Sequence, residues 1–100
     1  MSTATPPPKE EHELLLDKVR TCVAKTLRIE PERVSADASL IDDLGAESID
    51  FMELRFYLED DLGVAFEDAD IALIAGGKDR ALLANITARR IAAEITRRRG

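Results

Sequence analysis

The sequence predicts an all-α fold, in the form of a small four-helix bundle. Of its 100 residues, 45% are hydrophobic and 34% are charged, a balance typical of a folded protein. Aromatic residues make up only 4%, with five glycines and four prolines, which favours helices packed through aliphatic side chains. The alternation of apolar and polar residues that is typical of strands is absent from the chain. A chain of this length suits a single domain with one modest core.

The first nine residues, MSTATPPPK, have no apolar periodicity and include three consecutive prolines, so we expect residues 1–9 to form a flexible tail. A single domain is expected over residues 10–98. The first helix should run from about Glu10 to Leu27, because residues suited to burial recur there at the spacing of one helical face. That stripe consists of Leu15, Val19, Cys22, Val23 and Thr26.

A long connection, from Ile29 to Glu47, should follow the first helix. Pro31 disfavours helical geometry at Glu30, so the helix is expected to end before it. Structureless connections of such length are uncommon in compact domains. This one carries apolar residues that can lie across the core, namely Ile29, Val34, Leu40, Ile41 and Leu44. We therefore expect an ordered connection with a turn near Pro31–Val34.

The second helix should extend from about Ser48 to Leu62, with Gly63 ending it. Its expected buried side consists of Ile49, Met52, Phe56 and Leu62, with Leu54 and Leu58 alongside. Its expected acidic side consists of Asp50, Glu53, Glu59, Asp60 and Asp61. This helix is therefore predicted to be amphipathic and to expose a row of carboxylates.

The remaining sequence predicts two further helices with an extended region between them. The stretch FEDADIALIA indicates a short helix, which the pair Gly76–Gly77 should end, and KDRALLAN can add a turn. The final helix is predicted from Ile86 to Arg98, with arginines in its last turn, where they suit the helix dipole. The residues expected to point inward from it are Ile86, Ile91 and Ile95.

The charge distribution limits the classes of binding partner that the chain can have. Its net charge is −6, and residues 42–70 alone carry eleven acidic side chains and one basic one. Such a region repels nucleic acid and anionic membranes and attracts a basic protein surface. No apolar run is long enough to span a bilayer and no signal peptide is evident, so stable membrane insertion is not expected. The single cysteine, Cys22, should be buried, and its lack of a disulfide partner fits a cytoplasmic location.

Ser48, in the stretch DDLGAESIDFMEL, admits three interpretations: a nucleophile, a helix cap or a modification site. A serine nucleophile needs a base, and the only histidine, His12, lies thirty-six positions upstream. The chain is therefore not expected to be an enzyme. A calcium loop starting at Asp60 would place the apolar Leu62 at a ligand position, so no metal site is expected.

The cap and the modification site both remain open on these grounds. Serine is a preferred cap residue. Equally, a helix N-terminus stabilises an anion such as a phosphodiester, and Gly45 permits a tight turn just before the serine.

The stretch DASLIDDLGAESIDFMEL strongly resembles the phosphopantetheine attachment motif of acyl carrier proteins, over residues 37–62. The resemblance implies a four-helix carrier in which Ser48 bears a 4′-phosphopantetheine arm. A phosphopantetheinyl transferase would move the arm from coenzyme A to the serine hydroxyl. The arm's thiol would then carry acyl groups as thioesters for fatty acid, polyketide or related lipid biosynthesis, with the protein expected to be a monomer.

The resemblance also implies two groups of binding residues. Acidic residues that would meet basic patches on partner enzymes are Glu47, Asp50, Glu53, Glu59 and Asp60. Residues that could line an interior cavity for an acyl tail are Leu54, Leu58, Leu62, Ile71 and Ile91.

Several features depart from the family pattern. Glu47 replaces the usual Asp before the serine. The chain is longer around residues 76–85 than a minimal carrier needs to be, and it ends in the basic run Arg97–Arg99. They favour a specialised carrier over a housekeeping one. Two alternatives stay open: a peptidyl or aryl carrier of a nonribosomal pathway, and an unmodified helical module that binds a basic partner through residues 42–70.

Overall fold

Four α-helices and two 3₁₀ segments form the regular structure of residues 8–99, which are the residues that the computed structural model describes, with side chains from His12 onward. The α-helices are α1 (Pro8–Leu27), α2 (Asp50–Leu62), α3 (Asp68–Ala75) and α4 (Ala88–Arg99). The 3₁₀ segments are Pro31–Arg33 and Arg80–Asn85. Residues 8–99 contain no strand, and the predicted all-α fold is confirmed.

The helix ends lie within a few residues of their predicted positions. α1 begins at Pro8, so it includes the last two residues assigned to the tail, while residues 1–7 lie outside the described part. The division into a tail and one domain therefore stays a prediction. α4 begins at Ala88 because Ile86 is extended, with φ −75° and ψ 124°, and donates its N–H to Leu83 O at the end of a 3₁₀ segment.

α1 lies at the centre of the fold and packs against both α2 and α4. Its predicted stripe is buried in full, and so are the three isoleucines expected to point inward near the C-terminus. α3 packs against α4 and against the 3₁₀ segment Arg80–Asn85. The apolar periodicity of α1 thus identified the side of that helix that forms the core.

The buried face predicted for α2 is wrong for Ile49, Met52 and Phe56 and confirmed for Leu54 and Leu58. Ile49, Met52 and Phe56 are 68%, 62% and 68% exposed, whereas Phe51, Leu54 and Leu58 are buried. Leu62 is half-buried against the core. The helix carries two apolar rows, each at a spacing of three and four residues, so periodicity by itself could not choose between them.

The connection between α1 and α2 is ordered, as predicted. Arg20 Nε donates to Val34 O at 2.6 Å, and Leu40 N–H donates to Ile86 O at 3.1 Å. The side chains of Val34 and Leu40 are buried. The predicted turn near Pro31–Val34 is the 3₁₀ segment Pro31–Arg33.

The connection is also joined to the start of α4 and to the residues before it. Ser39 Oγ donates to Ala84 O at 2.6 Å. The Arg89 side chain pairs with Asp37 at 2.7 Å. The backbone N–H of Arg89 donates to the carbonyl of Ala36. These contacts fix the path of the connection against the C-terminal part of the chain.

Cys22 lies in the contact between α1 and α2. Its thiol is buried and is within weak hydrogen-bond distance of Tyr57 O, at 3.6 Å, and of Asp61 Oδ2, at 3.8 Å. Burial, aided by the negative charge of Asp61, raises the pKa of this thiol from 9.0 to about 11. Lys25 pairs with the same carboxylate at 2.7 Å. The predicted packing role of Cys22 agrees with this environment.

The basic C-terminus is a structural feature of α4. Arg97 and Arg98 both bind the carboxylate of Glu94, whose side chain is only 8% exposed. The hydrogen bond from Arg97 lowers the pKa of Glu94 from 4.5 to about 2. Burial opposes this shift, and a second hydrogen bond, from Arg98, adds to it. Arg98 also pairs with Asp70 and donates to Ala65 O, which joins α4 to the α2–α3 connection.

Within residues 8–99, no helix is both long enough and apolar enough to cross a membrane.

Replacing Glu94 by Gln should lower the free energy of unfolding by about 1–3 kcal/mol at pH 7, because hydrogen bonds to a charged group are lost. Since folding depresses the pKa of Glu94 from 4.5 to about 2, its contribution is fully present above about pH 5. It is lost as the pH falls through 2. Urea unfolding of both proteins between pH 7 and pH 2 should therefore show stabilities that converge in acid. The exposed carboxylate of Asp17, which pairs with Arg20, provides a control, since Asp17→Asn should change stability by less than about 0.5 kcal/mol. A constant difference down to pH 2 would contradict the assignment.

Alkylation of Cys22 by iodoacetamide at pH 8 should be slow in the folded protein. With a pKa of about 11, roughly one thiol in a thousand is ionised at this pH, and burial further restricts access. Mass spectrometry over time should show labelling slower by about two orders of magnitude than in denaturant, where the pKa returns to 9.0. Equal rates in the two states would show that the thiol is not buried.

Candidate functional site

Ser48 lies on an exposed turn immediately before α2. The chain approaches it through Gly45, whose φ of +77° favours glycine, and through the buried Ala46, which donates its N–H to Leu40 O at 2.8 Å. It then turns, with Asp50 N–H donating to Glu47 O at 2.9 Å. The buried alanine fixes the backbone, and the serine two residues later is exposed.

The interpretation of Ser48 as a helix cap is wrong. The capping position of α2 is Ile49, and no side chain caps the helix there. Instead, the Asp50 carboxylate accepts from Glu47 N–H at 2.7 Å, which stabilises the turn from the other side. The serine hydroxyl is therefore not needed to satisfy the backbone of α2.

The hydroxyl of Ser48 contacts a cation. Arg80 Nη2 donates to Ser48 Oγ at 3.0 Å, across 32 positions of sequence. A guanidinium has only donors and stays protonated, so Arg80 cannot accept the serine proton. Within the described residues, the side chain of Ser48 forms no hydrogen bond other than this one. The site can therefore present a hydroxyl and bind an anion beside it, but it does not activate a nucleophile.

A groove of about 330 Å³ opens beside Ser48, between α2 and the residues that follow α3. Its lining includes apolar side chains, among them Ile71 and Leu83, and three cations. The cations are Arg55, Lys78 and Arg80. Arg55 already makes structural contacts within the protein. Its Nε donates to Phe66 O at 2.7 Å, and its Nη1 pairs with Asp68 at 2.8 Å.

The acidic residues predicted for partner binding divide around α2. Glu47, Glu59 and Asp60 are exposed, and Asp50 and Glu53 are half-buried. Glu59 borders a shallow groove with Met52 and Phe56, whereas Asp60 borders a different groove next to α1. The structure thus places the carboxylates on both sides of the exposed apolar row rather than on one continuous side.

The five residues predicted to line an acyl cavity do not lie together at the groove. Ile71 is half-buried and is the one of them that lines the groove beside Ser48. The side chains of Leu54, Leu58 and Ile91 are fully buried in the core. Leu62 is half-buried at the end of α2 and lines the groove next to α1.

Two features of the site could not be read from the sequence. Arg80 lies in a stretch for which the sequence predicts only a turn and an excess of length, and no sequence pattern links it to Ser48. The row Ile49, Met52 and Phe56 was assigned to the core, although its exposure follows once Phe51 is placed inside. Across the described residues, no group of three or more His, Cys, Asp or Glu side chains is arranged to hold a metal ion.

Comparison with known proteins matches the region that contains this site. A family model described as "Phosphopantetheine attachment site" matches residues 17–74. The chain is 36% identical over 63 residues to the acyl carrier protein of Thermotoga maritima, covering 63% of this chain and 78% of that protein. It is 36% identical over 63 residues to the acyl carrier protein of Zymomonas mobilis, covering 63% and 81%. The acyl carrier protein of Thermosynechococcus vestitus is 41% identical over 56 residues, which is 56% of this chain and 69% of that protein.

Proposed function

The chain belongs to the protein family defined by the phosphopantetheine attachment site, and we propose that Ser48 is the residue that carries the 4′-phosphopantetheine arm. The observation that carries this proposal is the exposed Ser48 hydroxyl on the turn before α2, within the matched region. The surroundings fit the group. A groove is open beside the serine, and a guanidinium already contacts its oxygen.

The protein is a carrier and not an enzyme, which is the role of this family. When bound, the arm supplies a terminal thiol that holds acyl groups as thioesters. Arg80 cannot take the proton of Ser48, so we propose that the transferase supplies the base for modification. The chain's own contribution is to hold an accessible hydroxyl on a fixed turn.

The finer assignments rest on the sequence and on the names of the relatives. From the resemblance to acyl carrier proteins, we propose that the cargo consists of acyl intermediates of fatty acid, polyketide or related lipid biosynthesis and that the protein acts in the cytoplasm. A nonribosomal peptidyl or aryl carrier has the same arm and a different thioester. An unmodified interaction module is disfavoured by the family match at the attachment site.

The partner enzymes are proposed to bind a docking face on α2, which consists of Ile49, Met52 and Phe56 with Glu53, Glu59 and Asp60. Residues three or four apart on a helix are neighbours, so the carboxylates flank the apolar row. Three large apolar side chains exposed together mark an interaction site more often than isolated ones do. The carboxylates steer a basic partner, and the apolar row supplies area to bury.

The acyl-tail role of Leu54, Leu58, Leu62, Ile71 and Ile91 stays a prediction. A tail entering from the arm meets Ile71 first, because that residue lines the groove beside Ser48. Reaching Leu54 or Leu58 requires core side chains to separate, since both are fully buried. A cavity for the tail therefore has to form as the tail enters.

Incubation with coenzyme A and a phosphopantetheinyl transferase should add the mass of one phosphopantetheine group to the wild-type protein. Ser48→Ala should show no gain, because the acceptor oxygen is removed. The control Ser35→Ala, an exposed serine in the connection, should be modified as wild type. Circular dichroism should show that Ser48→Ala is folded, since substitutions at exposed sites change stability by about 0.5 kcal/mol or less. A full mass gain in Ser48→Ala, or none in the wild type, would refute the assignment.

Neutralising Glu53 and Glu59 together, by Gln, should raise the KM of the transferase by up to about fivefold for each carboxylate lost, in line with 0.2–1 kcal/mol for an exposed ion pair. It should also flatten the dependence of kcat/KM on salt. Phe56→Ala should raise KM and leave that dependence unchanged.

The matched controls for these variants lie away from the docking face. Glu32→Gln removes an exposed carboxylate from the first 3₁₀ segment, and Leu14→Ala removes an exposed apolar side chain from α1. Steady-state kinetics between low and high salt provide the measurement. Docking through α2 is ruled out if the controls alter KM as much as the α2 variants do.

A further inference from the structure

The residues after α3 hold an arginine against the serine that the proposed function modifies. Arg80 Nη2 lies 3.0 Å from Ser48 Oγ, and Arg80 belongs to the segment 76–85 between α3 and α4. Resting on the assignment of the arm to Ser48, we propose that Arg80 binds the phosphodiester formed there and holds the start of the arm over the adjacent groove.

The segment is anchored so that Arg80 has a defined position. Asp79, which also lines the groove, accepts from Ala81 N–H at 2.9 Å and so caps the 3₁₀ segment that Arg80 begins. At the other end, Asn85 Nδ2 donates to Ala75 O at 3.0 Å and joins the segment to the end of α3. The guanidinium is thus presented by a short element fixed at both ends.

The chemistry of the modification suits this guanidinium. Phosphorus bonds directly to Ser48 Oγ, so the two nonbridging oxygens lie next to the atom that accepts from Arg80. A guanidinium offers several donors in one plane, a geometry that matches phosphate oxygens and forms charge-assisted hydrogen bonds.

The charge around the site adds a reason for a cation here. Residues 42–70 carry eleven acidic side chains and one basic one, so the new phosphodiester is an anion placed in a region of like charge. The single basic residue of that region, Arg55, is already paired with Asp68 at 2.8 Å. Arg80, from outside the region, is the cation that reaches the serine and offsets the repulsion.

A phosphate held by Arg80 also directs the arm. The groove that Arg80 lines is also lined by Ile71, Ala72 and Leu83, on which the carbon atoms of the arm can lie. The arm would then rest along the groove until a partner enzyme competes for it. Because Arg80 is exposed, salt should weaken this hold.

The test compares two variants that remove the same charge from the same groove. Lys78 lines the groove without a hydrogen bond to Ser48 in the described residues, so Lys78→Gln is the matched control for Arg80→Gln. Each protein is converted to the modified form with coenzyme A and a transferase, verified by intact mass, and studied by phosphorus-31 NMR. The phosphodiester resonance of Arg80→Gln should be displaced from that of the wild type, and that of Lys78→Gln should coincide with it. In about 1 M salt, where the Debye length is about 3 Å, the wild-type resonance should move towards that of Arg80→Gln.

A second measurement needs no variant. The nitrogen-15 resonance of Arg80 Nε in the wild-type protein should shift between the unmodified and modified forms. This nitrogen-15 shift tests whether Arg80 binds the phosphodiester even if Arg80→Gln does not fold or does not accept the arm. An unchanged Arg80 resonance, or equal phosphorus displacements in the two variants, would overturn the proposal. Intact mass distinguishes failure of the Ser48 assignment from failure of the role of Arg80. A modified wild-type protein without these shifts refutes only the role of Arg80. An unmodified wild-type protein refutes the assignment of Ser48 and the role of Arg80 with it.

Discussion

The backbone pairing between the long connection and the start of α4 is the constraint on which the site depends. Leu40 N–H donates to Ile86 O, and Arg89 N–H donates to Ala36 O. A connection of this length has to bury Val34 and Leu40 while satisfying its own polar groups, and it does so against residues far along the chain. This pairing fixes the turn that carries the serine and, through the residues before α4, the segment that carries Arg80.

The arginines of this acidic protein perform two kinds of work. Arg20, Arg55 and Arg98 donate to backbone carbonyls of connections, at Val34, Phe66 and Ala65, and so hold the loops to the helices. Their side chains are largely covered, which protects these contacts from solvent and salt. Arg80 is exposed and contacts a side chain in place of a backbone carbonyl. The same residue type therefore stabilises the fold in one place and is proposed to bind the phosphodiester in another.

In the proposed function, α2 serves the core and the partner enzymes at the same time. Phe51, Leu54 and Leu58 bury one side, while Ile49, Met52 and Phe56 leave a second apolar row in solvent. Exposing large apolar side chains lowers solubility, and the flanking carboxylates of the docking face counteract that by keeping the surface charged. α2 begins just after Ser48, the proposed attachment serine, and exposes such a row, so it is suited to brief contacts with partner enzymes.

The sequence by itself determined the helical class, the stripe of α1, the ordered connection and the position of the attachment motif, because each depends on local spacing or on a contiguous run of residues. The tertiary structure decided which apolar row of α2 is buried. That choice depends on the rotation of α2 against α1, and two rows with the same periodicity leave it undetermined. It also decided that Arg80 meets Ser48, since a contact across 32 positions depends on where α3 and its following segment pack.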